Sequence, residues 1–245
     1  MRMTSIVIPT RNGLELLVPC VEAIRAYTST PYEIIVVDNG STDGTLDYCV
    51  REKLAFVSYP DNAGFPAACN AGLKIAMGDA LLLLNNDVVV THRWLDNMLD
   101  CLDASPDIGA AGPCSNYVSG RQQDAAPYNT MEEFHAWSSL RNTPDLSRRI
   151  PLERLVGFCL LFKREVMERI GYLDERFSPG HYEDDDYCYR IRLAGFRLMM
   201  AGDTFVHHHG SASFRKQDNA ALISLIETNY RKFMDKWGID PRQYI

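Results

Sequence analysis

Three apolar runs in this chain lack any polar alternation: Ile6 to Ile8, Glu33 to Val37 after its leading acid, and Ala80 to Leu84. A strand with one wet face alternates, whereas a strand covered on both faces reads as a continuous apolar run, which is the mark of a parallel sheet between helices. The segments between the runs support that layout. Leu14, Leu17, Val18, Val21 and Ile24 fall at helical spacing within 14–27, as an amphipathic helix requires. Thr45 to Lys53, Ala67 to Ala76 and Trp94 to Leu102 read as further helices, with Ala55 to Tyr59 and Ile108 to Ala111 as further strands. The alternation predicts an α/β class with a mostly parallel central sheet flanked by helices.

Such sheets bind ligands beyond the carboxyl ends of their strands, so the polar loops after Ile8, Val37 and Leu84 are the place to look. None carries Gly-x-Gly-x-x-Gly, and Gly-x-x-x-x-Gly-Lys-Ser/Thr is absent from the chain, which argues against a dehydrogenase or a P-loop enzyme. Residues 113–150 turn polar around one helical piece at 131–140 and read as an insertion or lid. Order resumes at Leu152, with a strand at 156–162, a helix at 165–170, a strand at 198–206 broken by Gly202-Asp203, and an amphipathic helix at 220–237. The expected plan is one domain over 1–245: a nucleotide-type α/β half (1–112), the insertion (113–150) and a mixed half for a second substrate (151–245).

The net charge of −7 speaks against a nucleic-acid partner, which usually meets a basic face. Seven scattered cysteines with no Cys-x-x-Cys pair predict reduced, buried thiols. The start of the chain has no signal-peptide core, and the longest apolar run is too short to span a bilayer, so a soluble cytoplasmic protein is expected. Arg215, Lys216, Arg231, Lys232 and Lys236 near the last helix also suit peripheral contact with the inner membrane face, although packing of that helix on its own domain is the stronger expectation.

Four carboxylates run from Glu183 to Asp186 behind the turn Pro179-Gly180. Acids suit a helix start, but four in a row repel and ask for a catalytic base or a nearby cation. Asp186 and Arg190 at i, i+4 make a structural pair, and Asp184 lies off that face, freer for a substrate. Asp38 closes the second run and has no capping duty, while Ser41 or Thr42 is the expected cap of the next helix. Asn85-Asn86-Asp87 brings amide and carboxylate oxygens to the same edge, the ligands preferred by Mg²⁺ or Mn²⁺. In His207-His208-His209 the middle ring must point opposite to its neighbours, so the three cannot share one metal. The small residues from Asp61 to Gly72 favour close helix–sheet packing.

These pieces, in this order, resemble the family 2 glycosyltransferases of the GT-A fold. The resemblance rests on Ile8-Pro-Thr-Arg-Asn12, Val36-Val-Asp-Asn-Gly-Ser-Thr-Asp-Gly44, Asn62-Ala-Gly-Phe65, Leu84-Asn-Asn-Asp87, Gly157-Phe-Cys-Leu160, Glu183-Asp-Asp-Asp186 with Arg190 and Gly195, and the His-His-His-Gly-Ser block. It implies an inverting enzyme of polysaccharide biosynthesis that moves a sugar from a nucleotide-diphosphate donor, UDP- or dTDP-linked, with Mn²⁺ or Mg²⁺. Pro9, Thr10 and Arg11 would lie along the nucleotide, Asp38 on the base, Asn62 and Gly64 in the same pocket, Asn86 near the ribose, and Asn85 would also bind the nucleotide-sugar. Asp87 would hold the metal, where the family's Asp-x-Asp motif keeps one carboxylate of two. Asp184 would be the general base. His208, from its distance to Ser213, would be the metal-side histidine, with His207 as runner-up. The acceptor would be a saccharide, a lipid-linked saccharide or a protein side chain. Two alternatives stand beside this one: a non-catalytic nucleotide-sugar-binding module, suggested by Asn85-Asn86, and a sugar-nucleotidyltransferase, disfavoured by Pro9 to Gly13.

Overall fold

The computed structural model describes residues 3–210 and 219–244. The Ser211-Ala-Ser213 part of the histidine block, with Arg215 and Lys216, lies outside the described residues. The chain runs β1 (Thr4–Thr10), α1 (Leu14–Tyr27), β2 (Tyr32–Asn39), α2 (Thr45–Arg51), β3 (Ala55–Tyr59), α3 (Phe65–Ile75), β4 (Ala80–Leu84), β5 (Val88–Val89), α4 (Trp94–Asp103) and β6 (Ile108–Ser115). It continues through α5 (Met131–Arg141), β7 (Arg149–Leu152), β8 (Cys159–Lys163), α6 (Arg164–Ile170), α7 (Glu183–Leu193), β9 (Arg197–His208) and α8 (Asn219–Trp237).

Among the described residues the strands make one sheet, ordered β3-β2-β1-β4-β8-β6-β9-β5, with β7 pairing β9. The first four are parallel, as their unalternating runs predict, and β1, β4 and the inner residues of β2 are buried throughout. Antiparallel β8 then joins β4 to β6, and β6 runs parallel to β9. Helix α3 lies flat on the sheet because Gly72 has no side chain: a Cβ there would run into Val7 and meet Val37 at 3.0 Å. The small-residue stretch is thus a packing device at that end.

Two boundaries differ from expectation for physical reasons. β8 begins only at Cys159, because Val156, Gly157 and Phe158 are drawn off to side-chain partners in the site. β9 is not broken at Gly202-Asp203; it runs on with three extra residues between Ala201, paired with Pro113, and Phe205, paired with Cys114. A bulge of this kind inserts residues without ending the ladder. Its Asp203 is fully buried and held by Arg149 at 2.8 Å, and the bulge backbone bonds to Asn97 and Asn142.

The four acids of α7 are all buried, at 0–9% exposure, and buried charges survive only when paired or neutralised. Asp186 is the most committed: Arg190 (2.8 Å), Lys236 (2.5 Å) and the Trp237 ring nitrogen (2.8 Å) all donate to it. Asp185 pairs with Arg154 at 2.6 Å. Burial, reinforced by the Asp184 charge, pushes the Glu183 carboxyl well above the usual range. The C-terminal helix α8 completes the arrangement. Asn229, fully buried, donates to the carbonyls of Phe177 (2.7 Å), Gly180 (2.8 Å) and His181 (3.1 Å), fixing the loop that leads into α7.

All seven cysteines are buried and unpaired. Burial raises each thiol above its ordinary value. No helix among the described residues is long and apolar enough to cross a membrane.

Candidate active site

Asn85, Asn86 and Asp87 form the tight turn between β4 and β5, closed by the Val88 N–H on the Asn85 carbonyl (3.2 Å). β5 pairs Val88 with His208 and Val89 with His207, which draws the end of β9 alongside Asp87. His208 is held on every side. Asn116 brackets its backbone, accepting from its N–H (2.8 Å) and donating to its carbonyl (3.0 Å). Its ring stacks on Phe158, with centroids 5.0 Å apart. Its Nδ1 lies 2.7 Å from the Tyr117 carbonyl, which only accepts, so Nδ1 carries a proton. Its Nε2 faces Asp87 Oδ1 at 3.1 Å, and neither atom has another partner. Such a buried, facing pair calls for a proton or a cation between its atoms.

The other histidines turn away, as strand alternation predicts. His207 Nδ1 meets the Tyr128 hydroxyl at 2.7 Å, and its Nε2 lies 3.3 Å from His209 Nδ1. Burial pushes His207 down to about 4, so it is neutral at pH 7. Among the described residues no group of three or more His, Cys, Asp or Glu could hold a metal. A carboxylate with one imidazole is nonetheless a donor set that suits Mn²⁺ better than Mg²⁺, and such ions commonly fill their remaining positions with phosphate and water.

The nucleotide-side residues gather at the carboxyl ends of β1 and β2. Pro9 and Thr10 are buried, with Thr10 in register with Asp38, while Arg11 stands exposed beyond them. Asn86 donates to the Thr10 hydroxyl (2.8 Å), and Gly13 must lack a side chain because a Cβ would strike the Asn86 amide. Asp38 caps no helix, as expected, but it braces its own turn: its Oδ1 accepts from the Ser41 N–H and its Oδ2 from the Ser58 hydroxyl, both at 3.0 Å. Nor do Ser41 or Thr42 cap α2. The cap is Gly44 with φ +87°, and Asp43 serves the first turn through Thr45; Ser41 and Thr42 instead bond Asn12 and tie the β2 loop to the β1 loop. Asn62 accepts from the Gly64 N–H (3.0 Å) and Asn39 (2.9 Å). Gly64, at φ +91°, lies so close to Ser178 and Pro179 that a side chain has no room, which joins the β3–α3 loop to the segment leading into α7. Asn85 donates its N–H to the Phe158 carbonyl (2.8 Å).

Asp184 is not the loose group its helical position suggested. It is 9% exposed, its Oδ2 accepts from the Gly157 N–H (2.9 Å) and its Oδ1 from the Asp185 N–H (3.0 Å). Segment 154–158 therefore joins the acidic helix to the Asn85 and His208 side of the site: Arg154 on Asp185, Gly157 on Asp184, and Phe158 on both Asn85 and His208. Gly157 and Phe158 carried a sequence signal through their motif. Asn116, Arg154 and Asn229 carried none, since each is a lone polar residue whose partners are distant in the chain.

The pattern described as "Glycosyl transferase family 2" matches residues 5–171. The chain is 30% identical over 225 residues to the O-antigen biosynthesis protein RfbC of Myxococcus xanthus, covering 86% of this chain and 18% of that one. It is 33% identical over 257 residues to Glycosyltransferase GlyG of Streptococcus pneumoniae serotype 4, covering 95% of this chain and 80% of that one. The chain thus spans a quarter or less of some long curated relatives it matches and most of a shorter one. Among solved structures, the mannosyltransferase PcManGT from Pyrobaculum calidifontis in complex with GDP-Man and Mn²⁺ shares the fold, with a TM-score of 0.61 at 21% identity over 84% of this chain and 56% of that one.

Proposed function

Because the chain belongs to glycosyltransferase family 2 and has the GT-A fold, we propose that it moves a sugar, with inversion, from a nucleotide-diphosphate donor to an acceptor hydroxyl. The observation that carries this reading is the buried pair Asp87 and His208, whose facing atoms at 3.1 Å lack other partners. A divalent cation, Mn²⁺ by the donor set, would be held by these two residues and would offset negative charge on the leaving diphosphate.

The protein's own residues supply the rest. Thr10, Asn86 and Asp38 line the strand ends where the nucleotide would lie, with Pro9, Arg11, Asn62, Gly64 and Asn85 around it. Asp184 takes the proton of the acceptor hydroxyl as the oxygen forms its bond to the anomeric carbon and the bond from that carbon to the diphosphate breaks. Attack opposite the leaving group inverts the carbon. The two N–H groups on Asp184 keep its carboxyl group aimed. UDP and dTDP are the expected nucleotides, with GDP a candidate because the archaeal mannosyltransferase binds GDP-Man. Residues 1–112 would serve the donor, and 151–245 the acceptor and base.

The test is thermal stability with UDP, dTDP, GDP and CDP, each with Mn²⁺ and with EDTA. A ligand at a hundred times its Kd adds about 2.7 kcal/mol, or roughly 5–10 °C for a domain of this size. A metal-dependent shift with one nucleotide supports the reading. No shift with any of them would favour a module that has lost donor binding.

A further inference from the structure

A cavity of about 330 Å³, lined by none of the donor-side residues, opens between the turn 119–122, the segment 151–154 and the C-terminal residues Gln243 and Tyr244. Its size is in the range of small-molecule sites. Both of its long walls are fastened to the candidate active site. On one wall, the carbonyl two residues before Ser119 is the Tyr117 oxygen that fixes the His208 ring, and Gln122 accepts from the Val156 N–H at 2.8 Å. On the other, Arg154 joins Ser119 (3.0 Å) to Asp185 (2.6 Å), and three residues on Gly157 holds Asp184. A molecule in this cavity would touch the segment that positions the base while leaving the donor site empty.

The lining has a definite chemistry. Gln243 brings an amide and Tyr244 an aromatic ring, a flat apolar face beside a hydrogen-bonding edge, which suits a sugar. The charges do not cancel. Arg154 is taken by Asp185, and Glu153 by Arg192, whose guanidinium also lies over the Tyr244 ring at 4.1 Å. Arg121 is exposed and has no ion pair or side-chain hydrogen bond among the described residues. One cation at the cavity is thus uncommitted. Resting on the reading of Asp184 as the base, we infer that this cavity is an acceptor subsite for a saccharide that carries a negative group, a phosphate or a carboxylate, met by Arg121.

The experiment is ligand-observed saturation-transfer NMR with glucose 6-phosphate, methyl glucuronide and the neutral methyl glucoside. It is run with and without the nucleoside diphosphate and Mn²⁺, on the wild type, Arg121→Ala and Tyr244→Ala. The charged sugars should bind in both conditions. Arg121→Ala should weaken them about tenfold, the effect of losing one hydrogen bond between charged groups, and methyl glucoside should bind the wild type about that much less well. Binding of the phosphate alone or the carboxylate alone would identify which group the acceptor bears. The proposal is overturned if neither charged sugar binds, if the neutral sugar binds equally, or if Arg121→Ala changes nothing. The nucleotide shift reports separately. Its loss in the wild type would sink the donor-site reading, whereas an unchanged shift in Arg121→Ala shows that the variant is folded.

Discussion

The buried meeting of Asp87 and His208 needs a proton or a cation between its facing atoms. Removing one member should therefore erase the metal-dependent part of any nucleotide shift. His208→Ala, compared in Mn²⁺ and in EDTA, is expected to melt at the same temperature in both; a retained manganese effect would place the ion elsewhere. Asp184→Asn keeps the shape and one of the two N–H contacts, since its amide nitrogen cannot accept the other, and it cannot take a proton. Transfer should fall about a hundred- to ten-thousand-fold with the nucleotide shift intact, and a lost shift would make the residue structural. Gly157→Ala tests aim rather than basicity. Its Cβ would sit 3.1 Å from that of Asp184, so the carboxylate must move. The expected result is a fall in kcat of about tenfold or more, as misplacement by a fraction of an ångström allows, with donor KM unchanged.

Helix α7 carries its acids in a graded way. Asp185 is held up to about 7, first by burial and then by the Asp184 charge, against an ordinary value of 3.8. A carboxyl raised in the folded state favours folding while protonated, so its contribution is full below about pH 4 and fades as pH climbs through 7. Asp185→Asn fixes the neutral form. Its melting temperature relative to wild type should rise between pH 5 and pH 8, and a constant difference would refute the assignment. Helix α8 holds this element from behind. Asn229→Ala strands three carbonyls in a buried place, an expected loss of about 2–4 kcal/mol, or roughly 4–16 °C by calorimetry.

At the scale of the whole molecule, the donor half was legible because parallel strands announce themselves as apolar runs and their ligand loops follow directly. Ile6 to Ile8, Glu33 to Val37 and Ala80 to Leu84 fixed β1, β2, β4 and the edge where Thr10, Asp38 and Asn86 meet. The mixed half was less legible. Its long-range polar contacts, Asn116 to His208, Arg154 to Asp185 and Asn229 to the α7 loop, join residues 92, 31 and about 50 positions apart, and no local pattern encodes such pairs. The bulge in β9 was misread for the same reason: Gly202-Asp203 looks like a turn until Arg149 is known to cover it.

The interior placement of all seven sulfur atoms has a practical side. With their protons held and solvent shut out, none should react with a thiol reagent in the native protein, and all seven should appear on denaturation. A single substitution such as Arg121→Cys would then provide one addressable handle at the mouth of the cavity, ready for a fluorophore or a photocrosslinker without first rebuilding the core.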